Sequence, residues 1–318
     1  MTSRVFVTTI TLWATKLRKK LQKRNYGQKF PRYPMAKMTG LMKKQIIIYV
    51  DMEGASGIFD HNSNAVIHGS SLWREYGRKC ITSDVLAVCQ AANECKIDEL
   101  LIYDGHYAGE PENNIIVEEL PKNIKLFDTW NRCFEWRRIR GQAELEPFGL
   151  ITVGQHARYG ETEAYFPHTI QSPPIKSLYI NNKNIAEIGM CAYNFLGIKY
   201  IANIGCTASM AEAKEISQKV TCIPVKDKKN KWEPDYSETF PIIKENVIKA
   251  IHDIENKEKI EIQEPCNFKM EVCDNFIFKA PEKITWKGTF SEKEAYWEAP
   301  SAEIGFELFN YVRECIEK

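Results

Sequence analysis

From Gln45 to Val50 the chain reads Gln-Ile-Ile-Ile-Tyr-Val, an apolar, β-branched run that stops abruptly at Asp51-Met52-Glu53-Gly54. Such a strand has no polar face to give to water, so it must be buried on both sides, as strands are in a parallel sheet covered by helices. The rest of the chain repeats the same device. Further apolar runs stand at Glu99 to Tyr103, Leu150 to Val153 and Tyr200 to Ile204. Between them, Ser71 to Cys95 carries apolar residues at helical spacing (Ile81, Val85, Leu86, Val88, Ala92), and Ser209 to Val220 reads as another helix. Ser177 to Ile180 with the turn Asn181-Asn182-Lys183-Asn184 reads as a strand and reversal leading into a helix over Ala186 to Leu196. Strands alternating with helices predict an α/β fold, a doubly wound and mostly parallel sheet flanked by helices, over residues 42–221.

After residue 222 the pattern changes. A charged helix is expected near Tyr236 to Asn256, apolar-polar alternation runs through Ile260 to Phe278, and Ser291 to Ile316 is helical by spacing. Residues 222–318 therefore read as a smaller C-terminal α+β portion. Residues 1–41 read as a basic appendage. Twelve Lys and Arg precede Asp51 with no acid among them, leaving 31 basic against 42 acidic residues in the remainder. The apolar stretch Val5 to Ala14 comes before the basic cluster, the reverse of a secretory signal. An organelle transit peptide and a start upstream of the true one, with Met42 opening the fold, both fit; the expected location is cytoplasmic.

The overall net charge of +1 gives no reason to expect nucleic acid as partner, and no stretch approaches the roughly 20 apolar residues of a membrane-spanning helix. Ten cysteines show no C-x-x-C pair and several fall in buried runs, so they read as reduced structural thiols.

Three of the apolar runs end in polar clusters: Asp51-Met52-Glu53-Gly54, Asp104-Gly105-His106 and Gly154-Gln155-His156-Ala157. In open α/β sheets ligands bind outside the carboxyl ends of the strands, so three such clusters would converge on one crevice. Asp51 and Glu53 are two apart and would point the same way if extended geometry persisted beyond Val50. Carboxylates with imidazoles suit Zn²⁺, with Mn²⁺, Co²⁺ and Fe²⁺ not excluded. Each cluster also has a plain structural reading, a turn cap or a solvated histidine; the metal reading rests on all three together.

The order Asp-x-Glu-Gly, Asp-Gly-His, Gly-x-His-Ala-Arg, a histidine twelve residues on at His168, and Glu-x-Gly at Glu187-Ile188-Gly189 resembles the zinc-dependent D-aminopeptidases. The similarity runs from Lys44 to about Val220, includes Arg74-Glu-Tyr-Gly-Arg78, and is weaker over Phe290 to Phe309. The resemblance implies two zinc ions per chain held by Asp51, Glu53, His106, His156 and Glu187, with Asp51 touching both. It implies a catalytic role for His168, as base, as acid to the leaving amine or as nucleophile, of which we expect the acid/base role. It further implies removal of N-terminal D-residues from small peptides, and ring-like homo-oligomers such as a decamer. One departure stands out: Gly205-Cys206-Thr207 carries no acid where the family commonly does. That leaves two rivals, a dinuclear hydrolase of another amide or ester, and a binding protein that has lost catalysis.

Overall fold

β1 (Gln45–Val50) is buried at all six positions. It lies at the centre of a six-stranded parallel sheet, between β2 (Glu99–Asp104) and β4 (Gly149–Gln155), with Val50 level with both Asp104 and Val153. The full order is β3-β2-β1-β4-β7-β8, where β3 is Ile124–Phe127, β7 is Lys199–Cys206 and β8 is Thr221–Lys226. The chain thus winds outward from β1 to β3, returns to the other side of β1, and winds outward again. Its reversal falls between β1 and β4, and the crevice at the carboxyl ends of these two strands is where such sheets bind ligands. The computed structural model describes residues 43–109, 111–127, 147–170, 173–282 and 284–318. The expected appendage, residues 1–41, lies outside them.

Alternate residues of β1 serve two cores, as the two-residue period of a strand requires. Ile46, Ile48 and Val50 pack with helices α1 (Arg78–Glu94) and α4 (Tyr236–His252), the latter through Ile243, Val247 and Ile251. Ile47 and Tyr49 face α2 (Ala186–Tyr193) and a second sheet. Helix α3 (Ser209–Ile216) adds Ala213 to that second core. The second sheet is antiparallel, ordered β11-β12-β9-β5-β6, with β5 Ile175–Ile180, β6 Lys183–Asn184, β9 Cys266–Val272, β11 Gly288–Phe290 and β12 Glu294–Ala299, while β10 (Ile277–Phe278) pairs apart from it with β13 (Ile316–Glu317). Its inner face is covered by α5 (Ala302–Arg313): Phe268 stacks on Trp297 at 5.1 Å, Phe306 meets Phe268 edge-on at 5.6 Å, and Trp297 Nε1 donates to the Gly305 carbonyl at 3.0 Å.

The α/β architecture agrees with the expectation from sequence, and the differences have local causes. Ser291 to Ile316 was expected to be helical throughout, yet Glu294–Ala299 is a strand; Ala295, Trp297 and Ala299 are buried while Glu294 is exposed and Tyr296 and Glu298 are half-buried. Pairing with β9 uses that alternation, which places the three buried residues on one face of the sheet. The helix expected to reach Val220 ends at Ile216, because Ser217 is already extended. β8 is absent from the sequence reading; its Pro224 argues against a strand, and it is tolerated because β8 is the edge of the sheet. The boundary expected at residue 221 does not separate the two sheets. β5 and β6 precede it and join the antiparallel sheet, whereas β8 and α4 build onto the parallel one. All described residues fall in one compact unit. Among them no helix is long and apolar enough to cross a membrane.

Candidate metal centre

The level ends of β1, β2 and β4 bring the three clusters together. Beyond Val50 the extended geometry does not persist: Ala55 N donates to the Met52 carbonyl and Gly54 N to the Gly154 carbonyl, so residues 51–55 form a turn. The turn still delivers both carboxylates to one site. Asp51 and Glu53 are 2% and 8% exposed, His106 and His156 7% and 2%. Close approach of the strand ends depends on glycine. A Cβ on Gly154, whose φ is +73°, would lie 1.9 Å from the Asp51 carbonyl oxygen, and a Cβ on Gly54 1.9 Å from that of Gln155.

His106 stands in a short turn after β2. Its Nδ1 is 3.4 Å from Asp51 Oδ1 and 3.1 Å from Glu53 Oε2. His156 Nε2 is 3.4 Å from Asp51 Oδ2 and 3.1 Å from Glu187 Oε2. The two oxygens of Asp51 therefore face two different imidazoles, each of which faces one further carboxylate. Glu187 comes from the first turn of α2, entered through Ala186 at a φ of +50°, a left-handed conformation that alanine adopts only when its surroundings enforce it. Here the β5–β6 reversal and burial of Ala186 supply that constraint. His168 stacks on His156 with ring centroids 3.9 Å apart and planes within 10°; its Nε2 stands farther from the carboxylates, 4.0 Å from Glu53 and 3.9 Å from Glu187.

The hydrogen bonds decide what these rings can do. His106 Nε2 donates to the Val66 carbonyl at 2.8 Å, His156 Nδ1 to the Ala157 carbonyl at 2.9 Å, and His168 Nδ1 to the Phe166 carbonyl at 3.0 Å. A carbonyl only accepts, so each ring spends an N–H on backbone and, when neutral, turns a bare lone pair toward carboxylate oxygens. Lone pairs facing lone pairs repel unless a cation lies between them. Asp51 Oδ2 and Glu53 Oε2 are moreover buried without a hydrogen-bond donor. Imidazoles tied by one nitrogen to backbone with the other free are the usual presentation of histidine to a metal. The donor set fits a divalent cation: donor atoms of Asp51, Glu53 and His156 lie within 4.8 Å of one another, as do those of His156, His168 and Glu187.

Charge states follow the same crowding. Burial, then repulsion from Glu53 and Glu187, pushes the Asp51 carboxyl well above its ordinary range. Burial works against Glu53 too, but His106 and the other imidazoles outweigh it and hold its carboxyl low. Burial acts to depress His106 and His156, and the carboxylates around them reverse the direction and raise both. His168 goes the other way: burial first, then the charge on His156, lowers it.

Several supporting groups have no signature in the sequence reading. Asn114, fully buried, donates through Nδ2 to Asp104 Oδ1 at 2.7 Å and to the His106 carbonyl at 2.6 Å, and accepts from Trp73 Nε1 at 3.0 Å, which pins the His106 turn to the end of β2. Asp84 of α1 accepts from Ser56 N at 2.9 Å. Lys226 is buried beneath the Glu53 turn. An apolar strand ending in lysine, Thr-Cys-Ile-Pro-Val-Lys, was the available signal for the last of these. Two further histidines and Cys206 lie at the edges of the site or outside it. His61, largely exposed, approaches Glu233 at 3.9 Å; His68 bonds the Glu112 carbonyl at 2.8 Å; Cys206 is buried in a small apolar cluster with Ala157 and Ala164.

An open parallel sheet with a buried cage of carboxylates and imidazoles at its switch point defines an α/β protein of the metallohydrolase class. The chain belongs to the D-aminopeptidase family, whose profile matches residues 42–303, and with it to the metallo-aminopeptidases. Among solved structures it is similar to the Zn-dependent D-aminopeptidase DppA from Bacillus subtilis, described as a self-compartmentalizing protease. The TM-score is 0.70 with 19% sequence identity, over 85% of this chain and 97% of that one. No curated protein sequence matches significantly.

Proposed function

We propose that the protein is a zinc-dependent aminopeptidase that removes an N-terminal D-residue from short peptides, using two metal ions per chain. The observation that carries the reading is the division of Asp51. Its Oδ1 faces the pair His106 and Glu53, and its Oδ2 faces the pair His156 and Glu187, each at a nitrogen distance of 3.4 Å. Two donor sets sharing one carboxylate are what a pair of ions about 3.5 to 4 Å apart requires. Carboxylate and imidazole donors suit zinc, and Mn²⁺, Co²⁺ and Fe²⁺ take the same donor types. Bound there, the metals would supply Lewis acidity to a substrate carbonyl and to an attacking water.

The chain's own residues do the rest. Val66, Ala157 and Phe166 hold the three imidazoles in one tautomer through their carbonyls. His168, farther from the carboxylates than the two ligand histidines, keeps Nε2 free to take a proton and return it to the departing amine. Burial of the cage keeps bulk water from competing for these groups. Assembly into a homo-oligomer with sequestered sites, ring-like as a decamer would be, is part of the reading; it is supported by the description of DppA as self-compartmentalizing. The test is an assay of the zinc-loaded protein on D-Ala-D-Ala and its L counterpart. Release of alanine from the D-dipeptide alone is expected. Turnover of other amides or esters with neither dipeptide cleaved would replace the substrate assignment, and binding of a dipeptide without cleavage would leave a binding protein.

A further inference from the structure

Lys226, the last residue of β8, is 0% exposed, yet it carries an ammonium that the chemistry above does not use. Its Nζ donates to three carbonyls of one turn: Glu53 at 2.7 Å, Ala55 at 2.9 Å and Ile58 at 2.5 Å. All three N–H bonds are thereby spent on the segment that carries the Glu53 carboxylate. The same Nζ lies 5.7 Å from the Phe59 ring centroid, 5.4 Å from that of Tyr165 and 5.5 Å from that of Phe166, three aromatic faces around one cation. Phe166 is the residue whose carbonyl accepts from His168 Nδ1. The lysine is itself held in place, since Thr207 N and Oγ1 both donate to its carbonyl, at 2.9 and 3.0 Å.

A buried lysine is expensive, and burial alone would favour an apolar residue of the same length. The location of its contacts explains why the cost is met. One end of the arrangement is the turn of Asp51 and Glu53, the other is the Phe166–His168 segment, and among the described residues this ammonium touches both. We infer that Lys226 is a positioning residue that sets the Glu53 turn and the Phe166–His168 segment in register with each other. The inference rests on the proposed roles of Glu53 and His168. It predicts that losing the ammonium loosens a ligand and misplaces a proton carrier together, whereas losing the Phe166 ring disturbs the second alone.

The experiment uses the full chain and three variants: Lys226→Met, which keeps length and removes donors and charge; Lys226→Arg, which restores both; and Phe166→Leu. Folding is followed by far-ultraviolet circular dichroism. Zn²⁺ affinity is measured by competition with a chelating dye, the ligand field by the visible spectrum of the Co²⁺-substituted protein, and kcat and KM with a D-alanyl dipeptide. Folded Lys226→Met should bind Zn²⁺ about 10- to 100-fold more weakly, the usual scale for a lost support of a metal ligand. Its Co²⁺ spectrum should change and its kcat should fall more than its KM rises, with partial recovery in Lys226→Arg. Phe166→Leu should keep Zn²⁺ affinity within about twofold while kcat falls. A folded Lys226→Met with unchanged affinity and Co²⁺ spectrum overturns the inference. If Lys226→Met does not fold, Phe166→Leu decides: unchanged kcat, or affinity lost as much as kcat, overturns it. Wild-type protein that binds no divalent metal refutes the metal centre itself, a failure seen before any variant is compared.

Discussion

Replacing Gly154 by alanine should destabilise the protein by about 3 to 4 kcal/mol, roughly two to three times the effect of the same change at Gly160, and should release the metals. Both glycines have positive φ, +73° at Gly154 and +89° at Gly160, so alanine at either position pays a left-handed cost of about 1 to 2 kcal/mol. The surroundings differ. A Cβ at Gly160 meets nothing within 4 Å, while one at Gly154 lies 1.9 Å from the Asp51 carbonyl oxygen and 2.7 Å from its carbon. Ordinary contact begins near 3.4 Å, so the ends of β1 and β4 must part by more than an ångström. The bonds from Asp51 N to the Val153 carbonyl, 2.9 Å, and from Gly54 N to the Gly154 carbonyl, 2.7 Å, then stretch or break, at about 1 kcal/mol each. Asp51 moves with its backbone. Urea denaturation of the two variants beside wild type, with Zn²⁺ titration of each, separates strain from clash. Equal losses in the two variants, or wild-type metal affinity in Gly154→Ala, would refute the argument that the close approach of these strands builds the site.

Two further outcomes are expected. His168→Ala should retain both metals while kcat falls about 10²-fold or more, as for other lost acid/base groups; unchanged kcat removes His168 from the reaction, and lost metal makes it a ligand. Asp84, fully buried, has its carboxyl pushed from the ordinary carboxylate range up to about 6 by burial. The folded state then holds the Asp84 proton more tightly than the unfolded chain, so this residue's contribution is full below about pH 4 and is lost as pH rises to about 6. Measured on chelator-treated protein to keep metal release out of the curve, Asp84→Asn should gain roughly 1 to 3 kcal/mol relative to wild type between pH 4 and 7. A constant difference across that range would show that burial of Asp84 does not perturb its titration.

The site was legible where it depended on local sequence. β1, β2 and β4 announce themselves as doubly buried strands, and Asp51, His106 and His156 follow them within two residues, so their convergence needed only the rule that ligands gather at carboxyl ends. The strand order was not legible, and it is the order that places β1 between β2 and β4. Glu187 shows the limit most clearly. It reaches His156 because the β5–β6 reversal belongs to the other sheet and forces Ala186 to positive φ, neither of which a local pattern encodes. Lys226 and Asp84 were missed for the same reason: each acts on the 53–58 turn from far along the chain, and a lone charge beside an apolar run has a simpler reading as its solvated end.

In the proposed centre Asp51 divides its two oxygens between two metal ions. The most direct measurement is an anomalous difference map of zinc-loaded crystals, collected at the zinc edge. Two peaks about 3.5 to 4 Å apart are expected, with Asp51 Oδ1 and Oδ2 each about 2 Å from a different one. A single peak, or a pair that Asp51 does not join, would contradict it.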